Sequence, residues 1–241
     1  MSIKTMYYQQ NTMQKTNYLL LILSIFTCIL CSGQSKKETH PNGNNYLFFL
    51  HNRFVEENDL DVKHPEYGKA EYLEIITSFK KDGFIVLSEK RKKNTDVKKY
   101  AEKIVTQIDS LLQKGVQPNH ITVVGTSKGG YIAQYVATFM ANPDVNFVFI
   151  GSFRESDIEN YPQIQFCGNI LTIYEKSDEF GVSAVQRKKN STLKINTFRE
   201  IELNTNLKHG FLFQPLPEWI EPCKMWAKRN YTFDNQTIIK H

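Results

Sequence analysis

One stretch of the 241-residue chain has residue types and spacing suited to covalent chemistry: "ITVVGTSKGGYIAQ", residues 121–134. A β-branched apolar run passes through Gly125-Thr126-Ser127-Lys128-Gly129 and resumes as an amphipathic pattern, which predicts a strand, a sharp turn and a helix. A serine hydroxyl is a weak nucleophile unless a base takes its proton and the backbone exposes it. A turn that runs straight from strand into helix does the exposing, but it brings two backbones so close that flanking side chains would collide. Glycine at 125 and 129 removes them. The helix beginning there also aims free N–H groups and a positive dipole end at the same spot. The N–H of Lys128 is then placed to bind an oxyanion. Without partners, the same five residues are an ordinary strand-to-helix turn.

The partners required are a base and an acid to orient it. In the order nucleophile, acid, base, the histidine must come late. Of His40, His51, His64, His120, His209 and His241, only His209 in "NLKHGF" follows the last expected strand without belonging to the terminal tail. The segment "NILTIYEKSDEFG" offers Glu175, Asp178 and Glu179 after the preceding strand. Asp178 lies beyond the strand end, beside Ser177 and ahead of Gly181, and can reach back from a loop; Glu175 falls at the strand's edge. A single histidine before glycine, or a single loop aspartate, is ordinarily a surface residue. Their joint occurrence at these places carries the information. A second oxyanion donor should come from the loop after the first strand, His51-Asn52-Arg53-Phe54.

The elements that must position these groups are legible as alternating patterns. Strands are expected at 45–50, 83–88, 121–125, 146–151, 169–174 and 197–203. Helices are expected at 66–81, with Tyr72, Ile75, Ile76 and Phe79 on one face, at 128–140, and near 216–229. A further helix spans 96–115, capped by Asp96, lined by Ala101, Ile104 and Ile108, and ended by Gly115. Strands separated by helix-length segments argue for a parallel sheet covered on both faces, one α/β domain over 46–230. In such sheets ligands sit beyond the carboxyl ends of the strands, where Ser127, Asp178, His209 and the 51–54 loop all fall.

Composition sets the outer bounds. A hydrophobic fraction of 41% suits a globular core, and the formal charge of +5 comes from basic residues scattered among nearly as many acids. That argues against nucleic-acid binding. The glycines near Ser127 do not form a phosphate loop ending in Gly-Lys-Ser/Thr, so a nucleotide site is not expected. The run "LLLILSIFTCILC" at 19–31, preceded by two lysines and no acid, has the length and flanks of a secretory signal. Residues 1–33 are thus expected to be a signal peptide for a secreted or periplasmic protein, 34–45 a linker and 231–241 a tail. Acylation of Cys28 or Cys31 is the rival processing, and a lipid anchor would be the sole membrane link. That would leave Cys167 and Cys223, whose pairing the sequence does not decide. The run Glu89-Lys90-Arg91-Lys92-Lys93 reads as a solvated loop. Its functional version is a basic rim with Arg53, Lys128 and Lys176 that favours acidic substrates, with an Arg53–Glu89 pair fixing the first loop.

Taken together, "GTSKG" on a strand–helix turn, "LHNRF" (50–54), Asp178 and "KHGF" (208–211) resemble the α/β-hydrolases over about residues 45–229. The resemblance implies a three-layer sandwich on a mostly parallel sheet. It also implies a triad in which Ser127 attacks, His209 shuttles the proton and Asp178 holds the imidazole, with an oxyanion hole from the N–H groups of Lys128 and Arg53. It implies a carboxyl-ester hydrolase acting on a small-molecule or acyl substrate, with no cofactor and no metal. Peptidase or acyltransferase activity of the same fold, or a non-catalytic surface-binding protein, are the alternatives. Three departures stand out. Asn52 occupies a position where many members have glycine. The usual N-terminal hairpin has no room, so the sheet should be trimmed to about six strands. Residues 152–168 are too few for a lid and should form a long loop.

Overall fold

Strands of three to nine residues pair into a six-stranded sheet. The computed structural model describes residues 43–233, which fall within the contact unit Asn42–His241. The expected signal peptide, the linker up to residue 42 and the tail from 234 lie outside the described residues, and with them Cys28, Cys31, His40 and His241.

In chain order the elements begin with β1 (Tyr46–Leu50), α1 (Arg53–Glu57), β2 (Lys63–His64), β3 (Gly68–Lys69), α2 (Tyr72–Lys81) and β4 (Ile85–Leu87). There follow α3 (Val97–Gln113), β5 (Ile121–Thr126), α4 (Lys128–Met140), β6 (Asn146–Ile150), α5 (Asp157–Asn160) and β7 (Gly168–Glu175). The chain closes with α6 (Val185–Asn190), β8 (Ile195–Leu203), a 3₁₀ turn at Lys208–Phe213 and α7 (Pro217–Ala227). The sheet order is β4-β1-β5-β6-β7-β8, and every pairing is parallel.

That order creates the site. From β1 the chain crosses to β4 on one side and then to β5 on the other, so the loops leaving β1 and β5 diverge over adjacent strands. This is the switch point at which α/β sheets open a crevice. Leu50 pairs with Gly125, which sets the 51–53 loop beside Ser127.

The pleat sends neighbours to opposite faces. Phe48 packs with Ile104, Ile108 and Ile132 under α3 and α4, whereas Phe49 packs with Phe79, Trp219 and Trp226 under α2 and α7. All six residues of β5 are buried, as an inner strand covered on both faces requires. Each large apolar side chain so buried contributes about 1.5–3 kcal/mol before entropy is counted. The Asp96 side chain caps α3 by accepting from Lys99 N at 2.8 Å, and Gly115, with φ +87°, follows its end.

Two expectations differ. The helix foreseen over 66–81 starts at Tyr72, because the preceding residues form a β2–β3 hairpin turned at Gly68 with φ +73°. The His64 ring accepts the N–H groups of Glu66 and Tyr67 and stacks on Tyr67 at 4.4 Å, which holds the turn. Segment 152–168 carries the short α5 rather than loop alone, and α6 had no clear apolar signal. Buried Arg187 from α6 donates to the carbonyls of Asp157, Tyr161 and Ile164, pinning that segment to the body. Among the described residues a lid domain is not evident. Cys167 and Cys223 are both free and buried.

Candidate active site

Ser127 sits at φ +50° and ψ −120°, a backbone conformation that costs a non-glycine residue roughly 1–3 kcal/mol and persists only when its surroundings hold it. They do. Its N–H donates to the Ile150 carbonyl at 2.9 Å, and its carbonyl accepts from Gly130 N at 2.8 Å and Tyr131 N at 3.2 Å. A Cβ on Gly125 would lie 2.3 Å from the Gly129 carbonyl oxygen, and one on Gly129 would lie 1.9 Å from that of Leu50. Both clashes are with backbone, so neither position accepts a side chain without moving the turn.

The three loops converge. Ser127 Oγ lies 2.9 Å from His209 Nε2, and His209 Nδ1 lies 2.6 Å from Asp178 Oδ2. A carboxylate only accepts, so Nδ1 carries the proton and Nε2 is left to accept from the serine hydroxyl. The Asp178 side chain is fully buried, and that of His209 is 15% exposed. Asp178 Oδ1 accepts from Phe180 N at 2.9 Å. The Phe180 ring meets the imidazole edge-on at 5.3 Å, with the Arg154 guanidinium 4.8 Å from the centre of the Phe180 ring.

Glu175, at the end of β7, is buried and accepts four hydrogen bonds. Two come from Ser177 N and Oγ, at 3.2 and 3.0 Å, and two from Thr205 N and Oγ1, at 2.8 and 2.7 Å. Lys208 N in turn donates to Ser177 Oγ at 3.1 Å. One carboxylate thereby joins the loop bearing Asp178 to the loop bearing His209. Burial opposes its charge, but these donors outweigh that and hold its pKa below the ordinary carboxylate value.

On the other side of Ser127, Asn52 caps α1 at φ −69°, its side chain accepting from Val55 N at 3.1 Å. Asn52 therefore lies outside the left-handed region that would favour a glycine there. Arg53 and Lys128 are the first residues of α1 and α4, positions whose N–H groups have no acceptor within their own helix.

The basic rim, the functional version of the 89–93 charge run, does not form as read. Arg91 is buried, its Nε 2.9 Å from Glu56 Oε2, and Lys128 Nζ is 2.5 Å from Glu56 Oε1. Arg53 pairs with Glu57 and Glu89 with Lys103, so the Arg53–Glu89 pair is absent. A carboxylate 35 residues away in sequence reverses the solvated reading for Arg91 alone. Lys90, Lys92, Lys93 and Lys176 remain exposed.

Similarity to known proteins agrees with this architecture. The dienelactone hydrolase family model matches residues 71–234. The chain belongs to that family. No curated protein matches the chain by sequence. Among solved structures, SOBER1 of Arabidopsis thaliana is similar at 14% identity with a TM-score of 0.52, over 79% of this chain and 100% of that one. A putative α/β hydrolase from Agrobacterium tumefaciens is similar at 18% identity and TM-score 0.52, over 77% and 85% of the two chains. The esterase PE8 is similar at 14% and 0.51, over 78% and 93%. At such identities the likeness carries the fold, and this member of the dienelactone hydrolase family is an α/β hydrolase in architecture. Glu56 is not singled out from the sequence, Glu175 is weighed there as the acid and set aside for its place at the strand's edge, and Arg91 is read only as one member of a charge run. Only Glu175 left a signal, as an acid at a strand end.

Proposed function

We propose that this family member is a serine hydrolase that cleaves carboxylic esters. Ser127 Oγ attacks the carbonyl carbon while His209 Nε2 takes its proton, and Asp178 holds the imidazole and supports its charge. The N–H groups of Lys128 and Arg53 receive the oxyanion. His209 then gives the proton to the leaving alcohol, and water, deprotonated by the same imidazole, releases the acid from Ser127. The observation that carries this reading is the chain of 2.9 and 2.6 Å contacts running from a strained serine through His209 to a buried aspartate. With no lid evident among the described residues, the crevice suits a soluble or partly polymeric ester better than a buried lipid tail.

A fluorophosphonate probe should label the wild type and leave Ser127→Ala unlabelled, and that substitution should lower kcat by roughly 10⁴-fold or more. A panel of chromogenic esters and aminopeptide substrates separates the chemistries. Faster turnover of the amides would make the protein a peptidase. Absence of labelling in the wild type would point to a binding protein that keeps the fold.

A further inference from the structure

Beside the proposed oxyanion hole lies a buried polar cluster that the mechanism above does not use. Glu56, Arg91 and His51 are 0%, 2% and 1% exposed. Besides Arg91 Nε and Lys128 Nζ, Glu56 accepts from Thr95 N at 3.1 Å. Arg91 N donates to His51 Nε2 at 2.9 Å, so the imidazole proton is on Nδ1, which donates to the Asn52 carbonyl at 2.8 Å. Arg91 Nη2 donates to the His51 carbonyl at 2.5 Å and approaches that of Asn52 at 3.4 Å.

The Asn52 carbonyl belongs to the same peptide unit as the Arg53 N–H. In a trans peptide the two point in opposite directions. A carbonyl turned inward, toward His51 and Arg91, therefore turns the Arg53 N–H outward from the cluster. Glu56 sits on α1, the helix Arg53 begins, and its bond to Lys128 Nζ reaches the first residue of α4, whose N–H is the other donor. One carboxylate thus joins the two backbone segments whose separation sets the width of the hole.

We infer that the Glu56–Arg91–His51 cluster is a positioning device for the oxyanion hole: it orients the Asn52–Arg53 peptide by its carbonyl and clamps that peptide's helix to the one starting at Lys128. The inference rests on the proposed serine mechanism. All three residues are buried and act through that peptide and its helix.

Arg91→Lys keeps the charge for Glu56 but lacks the fork that also reaches the two carbonyls. Loss of one oxyanion donor typically lowers turnover about 10²–10³-fold, so misorienting it should lower kcat about 10- to 100-fold while KM stays within about twofold. A boronic acid, whose tetrahedral adduct places an anionic oxygen in the hole, should bind more weakly by a similar factor. The pH midpoints of kcat/KM should not move, because His209 and Asp178 keep their contacts. A merely structural role would lower the melting temperature and the fraction of fluorophosphonate-labelled sites but leave kcat per labelled site at the wild-type value, and that result overturns the inference. Should Arg91→Lys fail to fold, Lys128→Met removes only the clamp, through a side chain that is 18% exposed. It should lower kcat per labelled site about three- to tenfold, and a wild-type value would equally overturn the inference. Failure of the serine mechanism itself is told apart by the wild type, which would then neither label nor turn over ester.

Discussion

Two buried glutamates flank Ser127, and they are held in opposite ways. Glu175 is surrounded by neutral donors, two hydroxyls and two backbone N–H groups, from loops that follow β7 and β8. Glu56 is surrounded by two cations and one N–H, from segments that follow β4 and β5. A carboxylate met by neutral dipoles leaves nothing charged behind if it is removed. One met by a guanidinium and an ammonium leaves two cations with no counter-charge, and Arg91 has no exposed route to water. The side of the site that carries Asp178 and His209 is therefore held by many modest bonds, and the side that carries Arg53 and Lys128 by a few strong ones.

The largest expected effect follows from that difference. Glu56→Leu should destabilise the fold by about 3–5 kcal/mol, the usual cost of leaving a buried charge without its partner, read as a shift in the urea midpoint at constant slope. A loss below about 1 kcal/mol would mean that Arg91 and Lys128 relocate to solvent freely, and the contrast between the two glutamates would disappear.

Glu175→Gln is the smaller counterpart. Glutamine keeps the shape but has one carbonyl oxygen for four donors, so two of them lose their acceptor, at about 1–3 kcal/mol in total. Because the Ser177 and Thr205 bonds join the loops of Asp178 and His209, kcat for ester hydrolysis should also fall about tenfold with little change in KM. Stability loss with undiminished kcat would show that the two loops hold their places without this carboxylate.

The contrast also explains what was legible in the sequence. The six strands were written in local patterns, most of them short apolar runs, and the strand-to-helix turn announced itself through Gly125 and Gly129. Ser127, Asp178 and His209 were findable by position because each follows a strand, and parallel strands deliver such residues to one edge. Glu175 stood at the edge of its strand with partners only 2 and 30 residues away. Glu56 had no such signal. It is one acid among several in a polar stretch, and what makes it special is a lysine in the next βα unit but one and an arginine inside a run of charges. Arg91 was misjudged for the same reason. Its four neighbours in "EKRKK" are solvated, and sequence pattern does not mark the single residue that the β4 loop turns inward.

The smallest effect concerns pH and again separates the two sides. Burial, reinforced by the nearby Arg91 guanidinium, lowers the His51 pKa from 6.5 to about 3, and the Arg91 N–H at Nε2 leaves no place for a second proton. In the unfolded chain His51 takes up its proton below about pH 6.5; in the folded protein it stays neutral down to about 3. The unfolded state therefore binds more protons throughout that window, so the stability His51 contributes is complete above pH 6.5 and declines as pH falls toward 3. At pH 5.5 the decline amounts to about 1.4 kcal/mol relative to neutral pH. Glu175, with its pKa held below the usual value, loses its contribution only at more acidic pH. Urea titrations of wild type and His51→Gln at pH 7.5 and 5.5 should give a smaller pH dependence in the variant by about that amount. Equal pH dependence would mean that His51 is protonated in the folded state at pH 5.5, which requires the Arg91 N–H to swing away and the Asn52 carbonyl to lose part of its hold.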